Sequence, residues 1–166
     1  MQETETTAYL LLGTNQGDRE HHLESARHAI MRLPGVITGV SGIYETEAWG
    51  TVGQSPFLNQ AIAFRTSQDP EALLGRLLQI ERELGRVRRE RWGDRTLDID
   101  IIYYGSRVWH SPTLEIPHPR LHLRNFALYP LAELAPDFLH PVFNKSNAEL
   151  LRESVDTLRC CLCSAG

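Results

Sequence analysis

The chain has almost no cysteine, almost no lysine and no long apolar run. All three cysteines, Cys160, Cys161 and Cys163, fall in the last seven of 166 residues. An odd cluster at a terminus makes no disulfide framework, and no fourth ligand lies near it in sequence to complete a metal site, so a frayed tail is expected over 160–166. No stretch approaches the ~20 consecutive apolar residues of a membrane span. The start, MQETETTAYLLLG, is acidic and polar, without a basic n-region or a long apolar core, so a cytoplasmic protein is expected. Lys145 is the single lysine against sixteen arginines, and the net charge is −4. That balance argues against a general nucleic-acid binder, which carries a basic excess. Arginine's planar fork suits bidentate contacts with phosphate or carboxylate, although a codon bias toward arginine accounts for surface positions equally well. No repeat, low-complexity tract or linker divides the chain. With 42% apolar and 23% charged residues, it reads as one globular domain over 1–159.

Within that domain, Ala8 to Gly13 is a short apolar run that suits a buried strand, and a turn-rich GTNQGD follows. Asp18 is placed to cap a helix over Arg19 to Leu33, where Leu23, Ala26, Ile30 and Leu33 recur at helical spacing; Pro34-Gly35 ends it. Val36 to Thr46 reads as one strand whose two glycines permit a bend or bulge. Glu47 to Ser55 has turn chemistry, and Phe57 to Phe64 is the returning strand. Pro70 opens a helix marked by Leu73, Leu77, Leu78 and Leu84 and ended by Gly85. A charged loop, Arg86 to Asp94, leads to a strand over Thr96 to Tyr104. The order β-α-β-β-α-β predicts an α+β, ferredoxin-like sandwich, an antiparallel sheet with helices on one face. Beyond it come a short strand near Val108, a helix near Phe126 to Leu134 and a last helix near Ala148 to Leu158.

The strongest chemical signal is RWGDRTLDIDI, residues 91–101. Residues i and i+2 of a strand share a face about 6.5–7 Å apart, so Asp98 and Asp100 project together while Leu97, Ile99 and Ile101 enter the core. Side by side, two carboxylates repel; a hard divalent cation such as Mg²⁺ between them removes the conflict. A solvated outer face of a half-exposed sheet is the alternative. Arg82, Arg86, Arg88, Arg89, Arg91 and Arg95 crowd the approach to the pair within fourteen residues. Arginines leading into a metal-binding carboxylate pair are what transfer of a polyphosphate group calls for, though Glu81, Glu83, Glu90 and Asp94 leave a salt-bridged loop as the other reading. Trp92-Gly93 adds a large ring beside a hinge, either a lid or a surface ring.

Two weaker constellations accompany it. Ile116-Pro117-His118-Pro119-Arg120 fixes a histidine in a rigid extended segment, with Arg124-Asn125-Phe126 soon after. Around Asn59, an amide between apolar residues follows Phe57 and a loop holding Trp49, a set able to clamp a flat heterocycle.

Together the segments LLLGTNQGD (10–18), YETEAWG (44–50), FLNQA (57–61), ERELGRVRRERWGDRTLDIDIIYYG (81–105) and IPHPRLHLRNFALYPLAELAP (116–136) resemble 6-hydroxymethyl-7,8-dihydropterin pyrophosphokinases of folate biosynthesis. The resemblance covers nearly the whole chain to about residue 152. It implies a transferase, an ATP-dependent diphosphotransferase that moves the β,γ-pyrophosphate of ATP to the hydroxymethyl oxygen of the pterin and releases AMP. It implies two Mg²⁺ ions on Asp98 and Asp100. It puts the ATP contacts at Gln79, Glu81, Arg86, Arg88, Trp92, Arg95, His118 and Arg124, with Arg86 and Arg95 stabilising charge at the transferred group. It puts the pterin between Phe57 and Phe126, with Asn59 on its edge and Thr46, Ala48 and Trp49 beside it. A monomer acting on these two small molecules, without nucleic acid or membrane, is expected.

The chain departs from the family's pattern at Thr14, where serine is common, and at Ala48, where proline is common; its tail RCCLCSAG matches nothing in the family. Two other readings differ in class. A nucleotidyltransferase also joins a glycine-threonine loop to a D-x-D pair, but there the two lie close, whereas Gly13-Thr14 and Asp98 are more than eighty residues apart. A ferredoxin-like RNA-binding module needs aromatics on its central strands, where this chain offers aspartates.

Overall fold

The computed structural model describes residues 4–47, 56–84 and 97–164. Its elements in chain order are β1 (Thr6–Thr14), α1 (Arg19–Met31), β2 (Val36–Val40), β3 (Ile43–Thr46), β4 (Phe57–Thr66), α2 (Pro70–Glu83), β5 (Asp98–Tyr104), β6 (Trp109–His110), β7 (Glu115–Ile116), α3 (Asn125–Leu134), α4 (Asn147–Arg152) and β8 (Cys160–Ser164). The antiparallel sheet runs β5-β1-β4-β3-β8, with β2 also pairing β4 and β6-β7 a separate small hairpin. This is the expected α+β, ferredoxin-like arrangement.

Helix starts follow the cap chemistry. Asp18 accepts from the His21 N–H, and Asp69 accepts from the Ala72 N–H with Pro70 at the first turn. Ser146 and Glu149 form a reciprocal capping box on α4. On one face of the sheet, Leu10, Leu12, Ile62, Ile99 and Ile101 pack against Leu23 and Ile30 of α1 and Leu73 and Leu77 of α2. Leu97 joins this core, as the strand alternation required.

The opposite face departs from the expected single helical layer. There Leu11, Ala61, Ile102 and Tyr103 meet Ala127, Leu128 and Leu131 of α3 and Leu150 of α4. A register shift between Tyr9 and Leu10 lets Ile102 and Tyr103 both join this second core. Helices α3 and α4 cover only part of the face, and the remainder forms a cavity.

The segment 36–46 is two strands rather than one. The Ser41 hydroxyl accepts the Ala61 N–H at 2.9 Å and the Ser41 N–H reaches the Ala61 carbonyl at 2.9 Å, so a side chain takes over one bond of the ladder and the strand breaks. The last helix stops at Arg152, short of the expected Leu158. The tail is also not frayed over its described residues: β8 pairs antiparallel with β3, Cys161 opposite Glu45 and Cys160 opposite Thr46. An open β3 edge leaves N–H and C=O groups to be matched, and the tail matches them. Cys161 and Cys163 are exposed and Cys160 half-buried, all three as free thiols. Among the described residues no helix is long and apolar enough to cross a membrane.

Candidate active site

The uncovered part of the second sheet face is the floor of a cavity of about 440 Å³. Register places its side chains in rows across the strands. Asp98 on β5 stands opposite Gly13 on β1, and Gly13 stands opposite Asn59 on β4. One step along, Asp100 is opposite Leu11. At the far end Phe57 of β4 is opposite Thr46 of β3. Asp98 is half-buried and Asp100 exposed; both line the cavity. Asp98 and Asn59 are thus separated by one glycine.

Asn59 is 4% exposed. Its Nδ2 donates to the Leu12 carbonyl at 3.1 Å, while its Oδ1 has no hydrogen-bond partner among the described residues. A buried amide oxygen left unmatched costs about 1–3 kcal/mol, so a ligand N–H is the natural complement. The hydroxyl of Thr46 is also buried and lines the cavity, with the Cys160 thiol beside it as a weak partner.

The roof comes from residues 118–126. The His118 N–H donates to the Ile102 carbonyl at 3.0 Å, which ties this segment onto β5. Arg124 and Phe126 line the cavity, with the Arg124 guanidinium 5.5 Å from the Phe126 ring centre. Burial and the neighbouring Arg120 lower the Arg124 pKa, and Asp100 opposes them, but an arginine stays charged. Burial, then Arg124, then Arg120 push the His118 pKa down to about 4, so its ring is neutral at pH 7. The His118 Nδ1 accepts the Arg120 N–H at 3.3 Å, leaving Nε2 to carry the proton. The cavity therefore opposes an acidic wall on β5 to a basic roof.

Of the residues singled out in the sequence, Thr46, Phe57, Asn59, Asp98, Asp100, Arg124 and Phe126 come together in this one cavity. His118 stands beside it, coupled to Arg124 and Arg120. Gln79 and Glu81 are not in its lining: Gln79 is exposed and donates to Glu83 at 3.0 Å, and Glu81 is buried at the end of α2. Ala48, Trp49, Arg86, Arg88, Trp92 and Arg95 lie outside the described residues. Arg120, Glu47 and Gly13 also line the cavity and were not picked out. Strand alternation would have found Gly13, and the P-H-P-R motif already contained Arg120.

Among the described residues no cluster of three or more histidine, cysteine or acidic side chains forms a ready metal cage. Two carboxylates on one wall of an open cavity still fit a hard cation that completes its shell with phosphate and water oxygens.

A sequence model of the family described as 7,8-dihydro-6-hydroxymethylpterin-pyrophosphokinase (HPPK) matches residues 9–136. The chain is similar to the 2-amino-4-hydroxy-6-hydroxymethyldihydropteridine pyrophosphokinase of Aquifex aeolicus, 38% identical over 156 residues, covering 94% of this chain and 97% of that one. It is 45% identical over 128 residues to the protein of the same name from Bacillus subtilis, covering 76% and 77%. Among solved structures it resembles Plasmodium falciparum HPPK-DHPS wild type with STZ-DHP, at TM-score 0.74 and 18% identity over 90% of this chain. The same protein with pteroate gives a TM-score of 0.70 at 16% identity over 92% of this chain. The chain spans 43% of the length of each of those two solved chains, and at such identities the likeness carries the fold alone. With more than half its length matched, this chain belongs to the 7,8-dihydro-6-hydroxymethylpterin-pyrophosphokinase family.

Proposed function

We propose that this chain transfers the β,γ-pyrophosphoryl group of ATP to the hydroxymethyl oxygen of 6-hydroxymethyl-7,8-dihydropterin in folate biosynthesis, releasing AMP. The observation that carries the reading is the row Asp98–Gly13–Asn59, which sets a buried, unmatched amide oxygen two strands from a carboxylate in one cavity.

The pterin ring lies between Phe57 and Phe126, where two aromatic faces exclude water from a flat heterocycle. Asn59 Oδ1 accepts a ring N–H, and the Thr46 hydroxyl supplies a second polar contact, with Ala48 and Trp49 completing that side. This orientation turns the hydroxymethyl group toward Asp98 and Asp100. Mg²⁺ held by those two carboxylates would neutralise and align the triphosphate. Arg124 and Arg120 add positive charge from the roof, and neutral His118 donates from Nε2 to a phosphate oxygen. Arg86 and Arg95 stabilise charge on the group in transfer, and Arg88 and Trp92 hold the nucleotide. The hydroxyl oxygen bonds the β-phosphorus in line, the bond from that phosphorus to the α,β-bridging oxygen breaks, AMP leaves with that oxygen, and the hydroxyl proton passes to water. Positioning and charge neutralisation supply most of such a rate enhancement, so no strong general base is required.

The working form is a cytoplasmic monomer acting on small molecules. Incubation with ATP, Mg²⁺ and 6-hydroxymethyl-7,8-dihydropterin should yield AMP and the pterin diphosphate. ADP as product, or AMP formed equally without the pterin, overturns the reading.

A further inference from the structure

The residues after α4 touch both walls of the cavity, and they lie beyond the family match, which stops at residue 136. At the roof, Asp156 Oδ2 accepts the Asn125 backbone N–H at 2.8 Å, and the Asn125 amide donates to the Asp156 carbonyl at 3.2 Å. Asn125 opens α3 between Arg124 and Phe126, the two roof residues. The cap position of α3 is Arg124, whose side chain makes no capping bond. A carboxylate there satisfies an N–H the helix cannot match and opposes the positive end of its dipole. Asp156 is thus a cap delivered from 31 residues downstream. Its other oxygen accepts the Leu158 N–H at 2.9 Å, which fixes the carboxylate's orientation.

At the floor, the Glu47 N–H donates to the Arg159 carbonyl at 3.4 Å, and β8 then runs along β3. Cys160 faces Thr46, and Thr46 faces Phe57, so a row of three side chains runs from the tail to the aromatic floor. Side chains opposite one another in an antiparallel pair stand about 4.5–5.5 Å apart at Cβ, close enough for bulk at one to be felt at the other. Helix α3 and strand β3 meet also through Glu133, which accepts from the Tyr44 hydroxyl and the Gly42 N–H, both at 2.8 Å. That contact lies toward the far end of α3, away from Phe126. Near the cavity mouth, among the described residues, the tail adds a second link between the two elements.

We propose that residues 153–164 form a strap that sets the separation of the two aromatic walls of the pterin cleft, with Asp156 and Cys160 as positioning residues. Asp156 acts through Asn125 on Phe126 and Arg124, and Cys160 acts through Thr46 on the floor beside Phe57. The strap deepens the pterin site proposed above and rests on that reading. It acts on the pterin more than on the nucleotide, because β5, which carries Asp98 and Asp100, lies at the opposite edge of the sheet from β8.

The test is steady-state kinetics of Asp156→Ala and Cys160→Leu, varying each substrate, with the thermal midpoint of each protein measured beside it. In both variants the pterin KM should rise about fivefold or more while kcat stays within about threefold. In Cys160→Leu, whose larger side chain presses on Thr46 at the edge of the sheet farthest from β5, the ATP KM should stay within about twofold of wild type. Asp156→Asn keeps one carbonyl acceptor and should recover much of the pterin affinity lost in Asp156→Ala. A pterin KM unchanged in either folded variant overturns the strap, as does a parallel rise of both KM values in Cys160→Leu. Should Asp156→Ala not fold, Cys160→Leu decides alone. The wild-type control separates the two claims. No pterin-dependent AMP from wild type overturns the reaction itself, whereas an active wild type with unresponsive variants overturns only the strap.

Discussion

Gly13 and Asn59 face each other across β1 and β4 so closely that a Cβ on Gly13 would lie 2.8 Å from Asn59 Nδ2. Glycine is needed here for space rather than for an unusual backbone angle. The amide it makes room for is buried and tied to Leu12, so it has little freedom to retreat. Gly13→Ala should therefore tilt Asn59 Oδ1 away from the pterin while leaving the sheet paired. Losing that one hydrogen bond predicts a pterin KM raised about tenfold, with the ATP KM little changed. Initial rates against each substrate in turn measure it. A pterin KM equal to wild type would show that Asn59 does not read the ring.

Asp98→Asn and Asp100→Asn test the proposed metal seat. Both side chains sit on the cavity face of β5, with Ile99 and Ile101 buried behind them, so the isosteric amide leaves the core untouched. The thermal midpoint should stay within a few degrees of wild type. Turnover should fall by about 10²–10³ or more, since a neutral amide no longer holds a cation against the phosphates. Near-full activity of folded Asp100→Asn would remove the metal from this strand.

Acid should destabilise the fold through two histidines. His140 is 3% exposed, and its Nδ1 accepts the Val142 and Phe143 N–H groups, both at 3.1 Å. Burial first, then His122, push its pKa down to about 4; His118 is held at about 4 as well. An unfolded histidine titrates near 6.5. Between pH ~6.5 and ~4 the unfolded chain binds protons that the native chain refuses, so stability falls as pH falls through that window and levels off below it. His140→Asn keeps an acceptor for the two N–H groups and removes one titration. It should start less stable, for want of the stacking on Phe143, yet lose less on acidification, by on the order of 1–2 kcal/mol. Melting curves from pH 7 to pH 4 provide the comparison, and equal acid slopes in the two proteins would contradict it.

The legible parts of this protein were those written in local pattern. Alternation along 97–101 placed Asp98 and Asp100 on one face and the isoleucines on the other, and the structure agrees. Asp18 and Pro70 announced their helices by cap and first-turn chemistry. The break at Ser41 was illegible because it depends on a hydroxyl standing in for a ladder bond to Ala61, a partner twenty residues away. Strand β8 was illegible for the same kind of reason: CCLCS carries no period of its own and is ordered by the free edge of β3. Arg120 entered the site only once His118 was tied to Ile102 and the segment folded over β5.

Phe57 and Phe126 occupy opposite walls, and among the described residues the guanidinium contact falls on Phe126. Phe126 lies under the Arg124 guanidinium at 5.5 Å, whereas Phe57 pairs with Thr46 at the start of β4. Removing either ring strips one face from the pterin cleft, and an aromatic contact of this kind contributes about 0.5–1.5 kcal/mol beyond the area it buries. Phe57→Ala and Phe126→Ala should therefore each raise the pterin KM by about tenfold or more. Phe126→Ala also takes away the ring that steadies Arg124, worth about 0.5–2 kcal/mol, and so should raise the ATP KM as well. Phe57→Ala should leave the ATP KM within about twofold. Steady-state analysis of the two variants side by side reads the difference. If Phe57→Ala weakened ATP as much as Phe126→Ala did, the assignment of one wall to the pterin and the other to both substrates would be wrong.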